Sequence, residues 1–345
     1  MILRLAALLA FLLPAAAQNT IHRDWAADPA VVQIDPPGDI YAIGDVHGDS
    51  DRLLRLLRAA RLVDGDPRLP AGHWTAGNAV VVFTGDMVDK GPHSVGTIQL
   101  IRALRDAGRK QGGQVVILMG NHEAEFLANP DAGKSEDFLA DLKAAGLNAH
   151  DVAACRGDLG EFLCRLPFAA RVGDWFFSHA GNSGGRKMDQ LIADLRKGVD
   201  QDGFATAQLQ DANSLLEARL GGKGPGGRPW FEADSPRRSG EQLLADYASA
   251  LGVAHLVEGH QHDGVRFQDG AERQAGQMMQ LYGRIFFIDT GMSRGVGDSG
   301  GAVLHIRRQG APQAEAICPS GMTTVIWDTG AHAKLGAAAV CPAQD

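Results

Sequence analysis

The chain alternates short, almost wholly apolar runs with stretches in which apolar residues recur every three to four positions. Ala79-Val80-Val81-Val82-Phe83 is β-branched and uninterrupted by polar residues, the mark of a strand buried on both faces. Ile40–Ile43, Val115–Met119 and Ala254–Val257 share that character. Between them, Leu53, Leu54, Leu56, Leu57 and Ala60 follow a helical period, with Asp49 or Ser50 placed to cap it. Val95–Ala107 predicts a second amphipathic helix ending near Gly108. This strand–helix–strand rhythm implies a sheet with parallel members. Residues from His122 to about Leu166 read as mostly helical, and Phe168–Phe177 as a strand pair broken at Gly173-Asp174. Helices are expected at Met188–Arg196, Ala205–Leu220 and Gly240–Leu251. Strands are expected at Met278–Leu281 and Arg284–Ile288, turning at Tyr282-Gly283, then at Ala302–Ile306 and Thr323–Trp327. The fold class is α/β: two packed mixed sheets flanked by helices, an αββα sandwich.

Five of the apolar runs end in glycine or a small residue and then in side chains that bind metals. They lead into Gly44-Asp45-Val46-His47-Gly48, Gly85-Asp86-Met87-Val88-Asp89-Lys90-Gly91, Gly120-Asn121-His122-Glu123, Ser178-His179-Ala180-Gly181 and Glu258-Gly259-His260. The carboxyl ends of strands are where open α/β sheets bind ligands. One such segment is unremarkable, since Asp-x-His on a turn is more often an Asx-turn beside a surface histidine. Five in order offer two Asp (Asp45, Asp86), three His (His47, His179, His260) and one Asn (Asn121). Carboxylate and amide oxygens mixed with imidazoles suit Mn, Fe or Zn rather than the all-oxygen shell of calcium. Asp86, at the end of the most buried run, is expected to bridge two such ions.

The order GDVHG, GDMVDKG, GNHE, SHAG and EGHQ resembles the phosphoprotein phosphatase family of calcineurin-like metallophosphatases. The interval between the first two motifs, with Leu62-Val63-Asp64 and Trp74-Thr75-Ala76-Gly77, and Ile288-Asp289-Thr290-Gly291-Met292-Ser293 near the end look most like its Shewanella-like branch. The resemblance covers roughly residues 38 to 307. It implies the calcineurin-like fold and a role for each matching position. Asp45 and His47 would hold one metal, Asp86 would bridge, and Asn121, His179 and His260 would hold the other. His122 would be the general acid, oriented by Asp89. Two departures stand out. Lys90 follows the second aspartate where the family has arginine, replacing a planar two-pronged donor with a point charge. Arg228-Pro229-Trp230-Phe231-Glu232 puts Glu232 where the branch places a second arginine, leaving Arg228, Arg237 or Arg238 to substitute.

The implied activity is a metal-dependent phosphomonoesterase, foremost a protein phosphatase acting on phosphotyrosine or phosphoserine/threonine by direct attack of a water or hydroxide between two Mn, Fe or Zn ions. Lys90-Gly91-Pro92-His93-Ser94 is also similar to the second motif of diadenosine tetraphosphatases, so a dinucleoside polyphosphate hydrolase is the alternative. A non-catalytic metal- or phosphate-binding protein is a third reading, which the complete ligand set and His122 disfavour.

The ends and charge bound the rest. Arg4, the apolar Leu5–Leu13 and Ala15-Ala16-Ala17 read as a signal peptide cleaved before Gln18, too short to span a bilayer. Removing it takes the formal charge from −8 to −9, since Arg4 is its one charged residue, and a basic nucleic-acid face is not expected. The partition expected is residues 1–17 signal peptide, 18–37 N-terminal extension and 38–345 a single metallophosphatase domain, with Gly221–Gly227 a loop inside it. A periplasmic or secreted location without stable membrane insertion follows. The four cysteines then favour two disulfides, 155 with 164 and 318 with 341, as the simplest of three connectivities. The expected partner is a phosphorylated protein or small phosphate ester.

Overall fold

The computed structural model describes residues 23–221, 228–232, 238–334 and 338–342. The segment expected as a signal peptide lies outside them. In one sheet β2 (Ile40–Ile43), β3 (Val80–Phe83) and β4 (Gln114–Ile117) run parallel and in register, so that Ile43, Phe83 and Ile117 end level. Antiparallel β12 (Val303–Arg307), β13 (Gln313–Ile317) and β14 (Thr323–Asp328) complete it on the β2 side. The other sheet has the order β1 (Val31–Ile34), β5 (Ala169–Val172), β6 (Trp175–Ser178), β7 (His255–Glu258), β11 (Ile285–Phe287), β10 (Gln277–Leu281) and β15 (Ala339–Val340). A small ladder pairs β8 (Val265–Arg266) with β9 (Glu272–Arg273).

Strand alternation explains why β3 is apolar throughout. Val80 and Val82 point between the sheets, into a core shared with Ile40, Val116, Phe177, Val257 and Phe286. Val81 and Phe83 point outward to the helices. The layer against them includes α1 (Ser50–Ala59) and α2 (Ser94–Lys110). It continues with α3 (Asn121–Ala128), α4 (Glu136–Ala144), α5 (Ala149–Ala153) and α6 (Gly157–Cys164). Asp49 is the cap of α1, its carboxylate accepting the Arg52 N–H at 3.3 Å. Later in the chain come α7 (Met188–Asp202), α8 (Ala207–Gln210) and α9 (Gly240–Leu251).

The helix expected over Ala205–Leu220 is reduced to α8. Side chains after it compete for the backbone. Asp211 accepts the Asn213 N–H at 2.8 Å, and the Ser214 hydroxyl accepts Leu216 and Glu217 N–H at 3.2 and 3.1 Å. The turn at Tyr282-Gly283 is as expected, with φ of 57° and 64°, the pair of left-handed residues that a tight hairpin requires.

Cys155 is bonded to Cys164 and Cys318 to Cys341. The second link ties the turn just past β13 to the chain just past β15, joining the two sheets near their β14 and β15 edges. Reduction should therefore lower the melting temperature, each loop being worth about 2–4 kcal/mol. An unchanged thermal transition after complete thiol alkylation of reduced protein would contradict this.

Candidate active site

The five metal-type segments converge at one end of the sandwich, three from the β2–β3–β4 sheet and two from the parallel pair β6–β7. Asp45, His47, Asp86, Asn121, His122 and His179 are all buried. Asp86 is the hub. Its Oδ2 lies 3.5 Å from His47 Nε2 and 3.9 Å from His122 Nε2. Its Oδ1 lies 3.4 Å from His179 Nε2 and accepts the His122 backbone N–H at 3.0 Å. Asp45 Oδ2 stands 3.9 Å from His47 Nε2. On the other side, His179 Nε2 is 3.0 Å from both Asn121 Oδ1 and His260 Nδ1. Two groups able to hold a cation result, His47–Asp86–His122 and Asp86–His179–His260, each with ligand atoms within 4.8 Å of one another.

The backbone is strained to achieve this. His47, Asp86, Asp89, Lys90 and His260 have φ of 42°, 51°, 63°, 56° and 66°, in the left-handed region that costs a non-glycine residue about 1–3 kcal/mol. Gly85 and Gly120 pass back to back beneath Asp86, and a Cβ on Gly120 would strike the Asp86 carboxylate. Outer contacts fix the rings: His47 Nδ1 meets Val88 O at 2.9 Å, and His179 Nδ1 meets Thr84 O at 3.0 Å.

Glu123 holds the hub in place, a role its place in a motif did not reveal. Fully buried, it accepts N–H groups from Gly120, Asp86, Met87 and Val88 at 2.7–3.1 Å. It thereby caps α3 and clamps the Asp86 loop to it. Burial, with nearby Asp86, pushes its carboxyl up to about 7. Glu123→Ala would leave four buried donors unpaired, so a loss of about 3–5 kcal/mol is expected in denaturant unfolding. A loss under about 1 kcal/mol would mean the clamp is dispensable.

Burial and mutual charge set the titration of the cluster. Burial and then Asp289 push Asp45 well above the ordinary carboxylate range. For Asp86, burial acts in the same direction, but His179 and His122 draw it well below. Burial would lower His179, yet Asp86 and Asp45 raise it to about 10. Burial also opposes protonation of His122, but Asp86 and Asp89, whose Oδ2 is 3.0 Å from Nδ1, lift it above its usual value. Two buried atoms, Asp45 Oδ2 and His260 Nε2, have no hydrogen-bond partner. The Asp45 orphan, 3.9 Å from His47 Nε2, fits a cation ligand, while on His260 it is Nδ1, 3.0 Å from His179 Nε2, that faces the cluster.

A cleft of about 390 Å³ opens over the cluster, lined by His47, Asp86, Asn121, His122 and His260, and by the cations Lys90, Lys134 and Arg219. Arg219 is the arginine that sequence reasoning passed over, lying in the stretch read as a helix. The side chain of Gln261 accepts the adjacent Leu220 N–H and so holds Arg219's loop. Arg228 is exposed and is not among the cleft-lining residues; Arg238 pairs with Asp246 at 2.9 Å; Arg237 lies outside the described residues. Glu232 is buried and accepts the Gln268 N–H at 2.7 Å.

Fold and site together define a metallophosphoesterase, a two-sheet sandwich with an Asp/His/Asn cluster at its strand ends. Residues 38–264 match the calcineurin-like phosphoesterase family, and the chain belongs to that family, in its Shewanella-like protein phosphatase group. It is 31% identical to Shewanella-like protein phosphatase 2 of Arabidopsis thaliana, over 80% of this chain and 77% of that one. An uncharacterised protein of Schizosaccharomyces pombe is 47% identical over 87 residues, and the chain spans only 25% of its length. The fold is also that of the cold-active protein-tyrosine phosphatase of a psychrophilic Shewanella species, with a TM-score of 0.61 at 20% identity, covering 91% of this chain and 85% of that one. The family works with bound divalent metal ions, and the chain is a hydrolase of phosphate esters. Among the described residues no helix is long and apolar enough to cross a membrane.

Proposed function

We propose that the chain is a metal-dependent protein phosphatase that hydrolyses phosphotyrosine or phosphoserine/threonine monoesters, with residues 38–345 working as one unit. The observation that carries this reading is the placement of Asp86. It turns one oxygen to His47 and the other to His179, with the His122–Asp89 pair beside it. Asp45, His47 and Asp86 would hold one ion; Asp86, Asn121, His179 and His260 the other. The donor set accepts Mn, Fe or Zn. When bound, the ions supply Lewis acidity and a nucleophilic water at neutral pH.

The chain's own groups do the remaining work. Lys90 and Arg219 draw the phosphate dianion into the cleft and neutralise its charge. His122, its Nδ1 hydrogen-bonded to Asp89, directs Nε2–H at the leaving oxygen and protonates it. Distance alone would let Nε2 serve as a ligand, at 3.9 Å from Asp86 Oδ2. The Asp89 contact favours the protonated ring, which donates rather than ligates.

The test is metal-reconstituted protein assayed on phosphotyrosine, phosphoserine and phosphothreonine peptides, an aryl phosphate and dinucleoside polyphosphates. Monoester peptides should be turned over best. Preference for dinucleoside polyphosphates would replace this reading with the alternative. The two disulfides support an oxidising compartment, and if the leader is cleaved after Ala17, N-terminal sequencing of the isolated protein should begin at Gln18.

A further inference from the structure

One imidazole on the cleft wall has no part in the cluster. His262 lines the cleft beside Gln261 and Asp263, with about a quarter of its side chain exposed. Its ring edge packs on two adjoining glycines, since a Cβ on Gly291 or on Gly297 would come within 3.0 or 3.2 Å of Cδ2. Nδ1 is turned to the Asp289 carboxylate at 3.7 Å, and Asp289 is buried. Asp289 follows β11 by two residues, as Asp45 follows β2. The side chain of buried Arg273 donates to both Gln261 O and Asp289 O, and its Nε donates to Gln277 O at 2.9 Å. One guanidinium therefore joins the His260–His262 turn to the Asp289 turn. His262 is thus placed at three points: the Cδ2 edge of the ring, Nδ1 and the backbone. That leaves Nε2, whose charged neighbour is Asp263 at 3.8 Å, itself 70% exposed at the mouth.

The cleft needs a fixed donor. Lys90 is exposed and carries a point charge on a flexible stem, so it attracts a phosphate without orienting it. Arg219 provides one planar donor. We propose that His262 is a substrate-binding residue whose Nε2 forms a hydrogen bond with a non-bridging phosphate oxygen, with Asp289 as its positioning residue. This rests on the phosphatase reading, because it names a contact to that reaction's phosphate.

The experiment is isothermal titration of inorganic phosphate into the metal-loaded chain, for wild type, His262→Ala and His262→Gln, with metal content and melting temperature measured on each. Loss of one hydrogen bond to a charged group should weaken phosphate binding about 10-fold in His262→Ala. Glutamine, which keeps an N–H donor, should recover part of the loss, while both variants keep wild-type metal content. Steady-state assays should show the change in KM, with kcat altered less than about 3-fold. Unchanged phosphate affinity in His262→Ala overturns the proposal, as does loss of metal, which would make His262 a ligand. Equal weakening in both variants with a lowered melting temperature also overturns it, in favour of a structural role. A wild type that binds phosphate but turns over no monoester sinks the phosphatase reading and leaves the binding result to decide His262 on its own. A wild type that binds no phosphate overturns both.

Discussion

His122→Asn should lower turnover of phosphopeptides about 10²–10⁴-fold, the range that a general acid contributes, while both metal ions stay bound. Three fixed points support this expectation. The ring is nearly buried, its backbone N–H is held by Asp86 Oδ1 at 3.0 Å, and Nδ1 is held by Asp89 Oδ2 at 3.0 Å. Asp89 is itself anchored, its other oxygen accepting the Phe138 N–H at the start of α4. Nε2 is the ring atom left for chemistry. Asparagine preserves the backbone contact but has no proton of suitable acidity to give. The loss should shrink for a nitrophenyl phosphate, whose leaving group departs with less help. Asp89→Asn should repeat the pattern more mildly, since it acts through the ring. Rates with good and poor leaving groups, compared with metal content, decide the matter. Equal slowing of both, or an emptied site, would make His122 a ligand or a structural residue.

Asp86→Asn should lose metal and nearly all turnover. Removing a supporting contact around a metal ligand costs about 10–100-fold in affinity, and a carboxylate facing both halves of the site should cost more than that. The geometry explains why no neighbour can compensate. His47 and His179 approach different oxygens of the same group, and Asp45 lies 3.9 Å or more from either ring. Asparagine keeps the shape but halves the donor set and removes the charge that draws both cations. Elemental analysis should fall from about two ions per chain towards none in a variant that remains folded. A fully active variant, or one retaining two ions, would end the bridging role.

The cluster was legible because the first ligand of each segment follows an apolar run by two or three residues, and a buried strand leaves its next polar side chain at the strand's end. Asp45, Asp86, Asn121, His179 and His260 could be placed without any long-range contact. The supporting residues could not. Glu123 is read as a motif letter until four N–H groups are seen to converge on it. Arg219 sits in a segment whose apolar spacing mimics a helix, and the turn formed by Asp211 and Ser214 overrides that spacing. Strand β13 escaped notice because Gln313–Ile317 carries Glu315 in a buried position. That position is tolerable because His305 and Arg307, one strand away, reach its carboxylate at 2.8 and 3.0 Å. Strand β1 was hidden by its position in a stretch set aside as an extension. Its pairing with β5 depends on a partner about 140 residues later.

The cluster draws its members from both sheets, and those sheets touch each other through a largely apolar interior. Its geometry is therefore a gauge of how one layer sits on the other. A shift of one pleat, about 3.3 Å along a strand, would separate His179 and His260 from Asp86 while leaving every backbone ladder intact. Substitutions at Val82 or Phe177, buried between the sheets and outside the cleft lining, would then act as tuning positions for the chemistry. Warming should loosen the alignment of the layers before it melts either sheet, so inactivation should precede unfolding on the temperature axis.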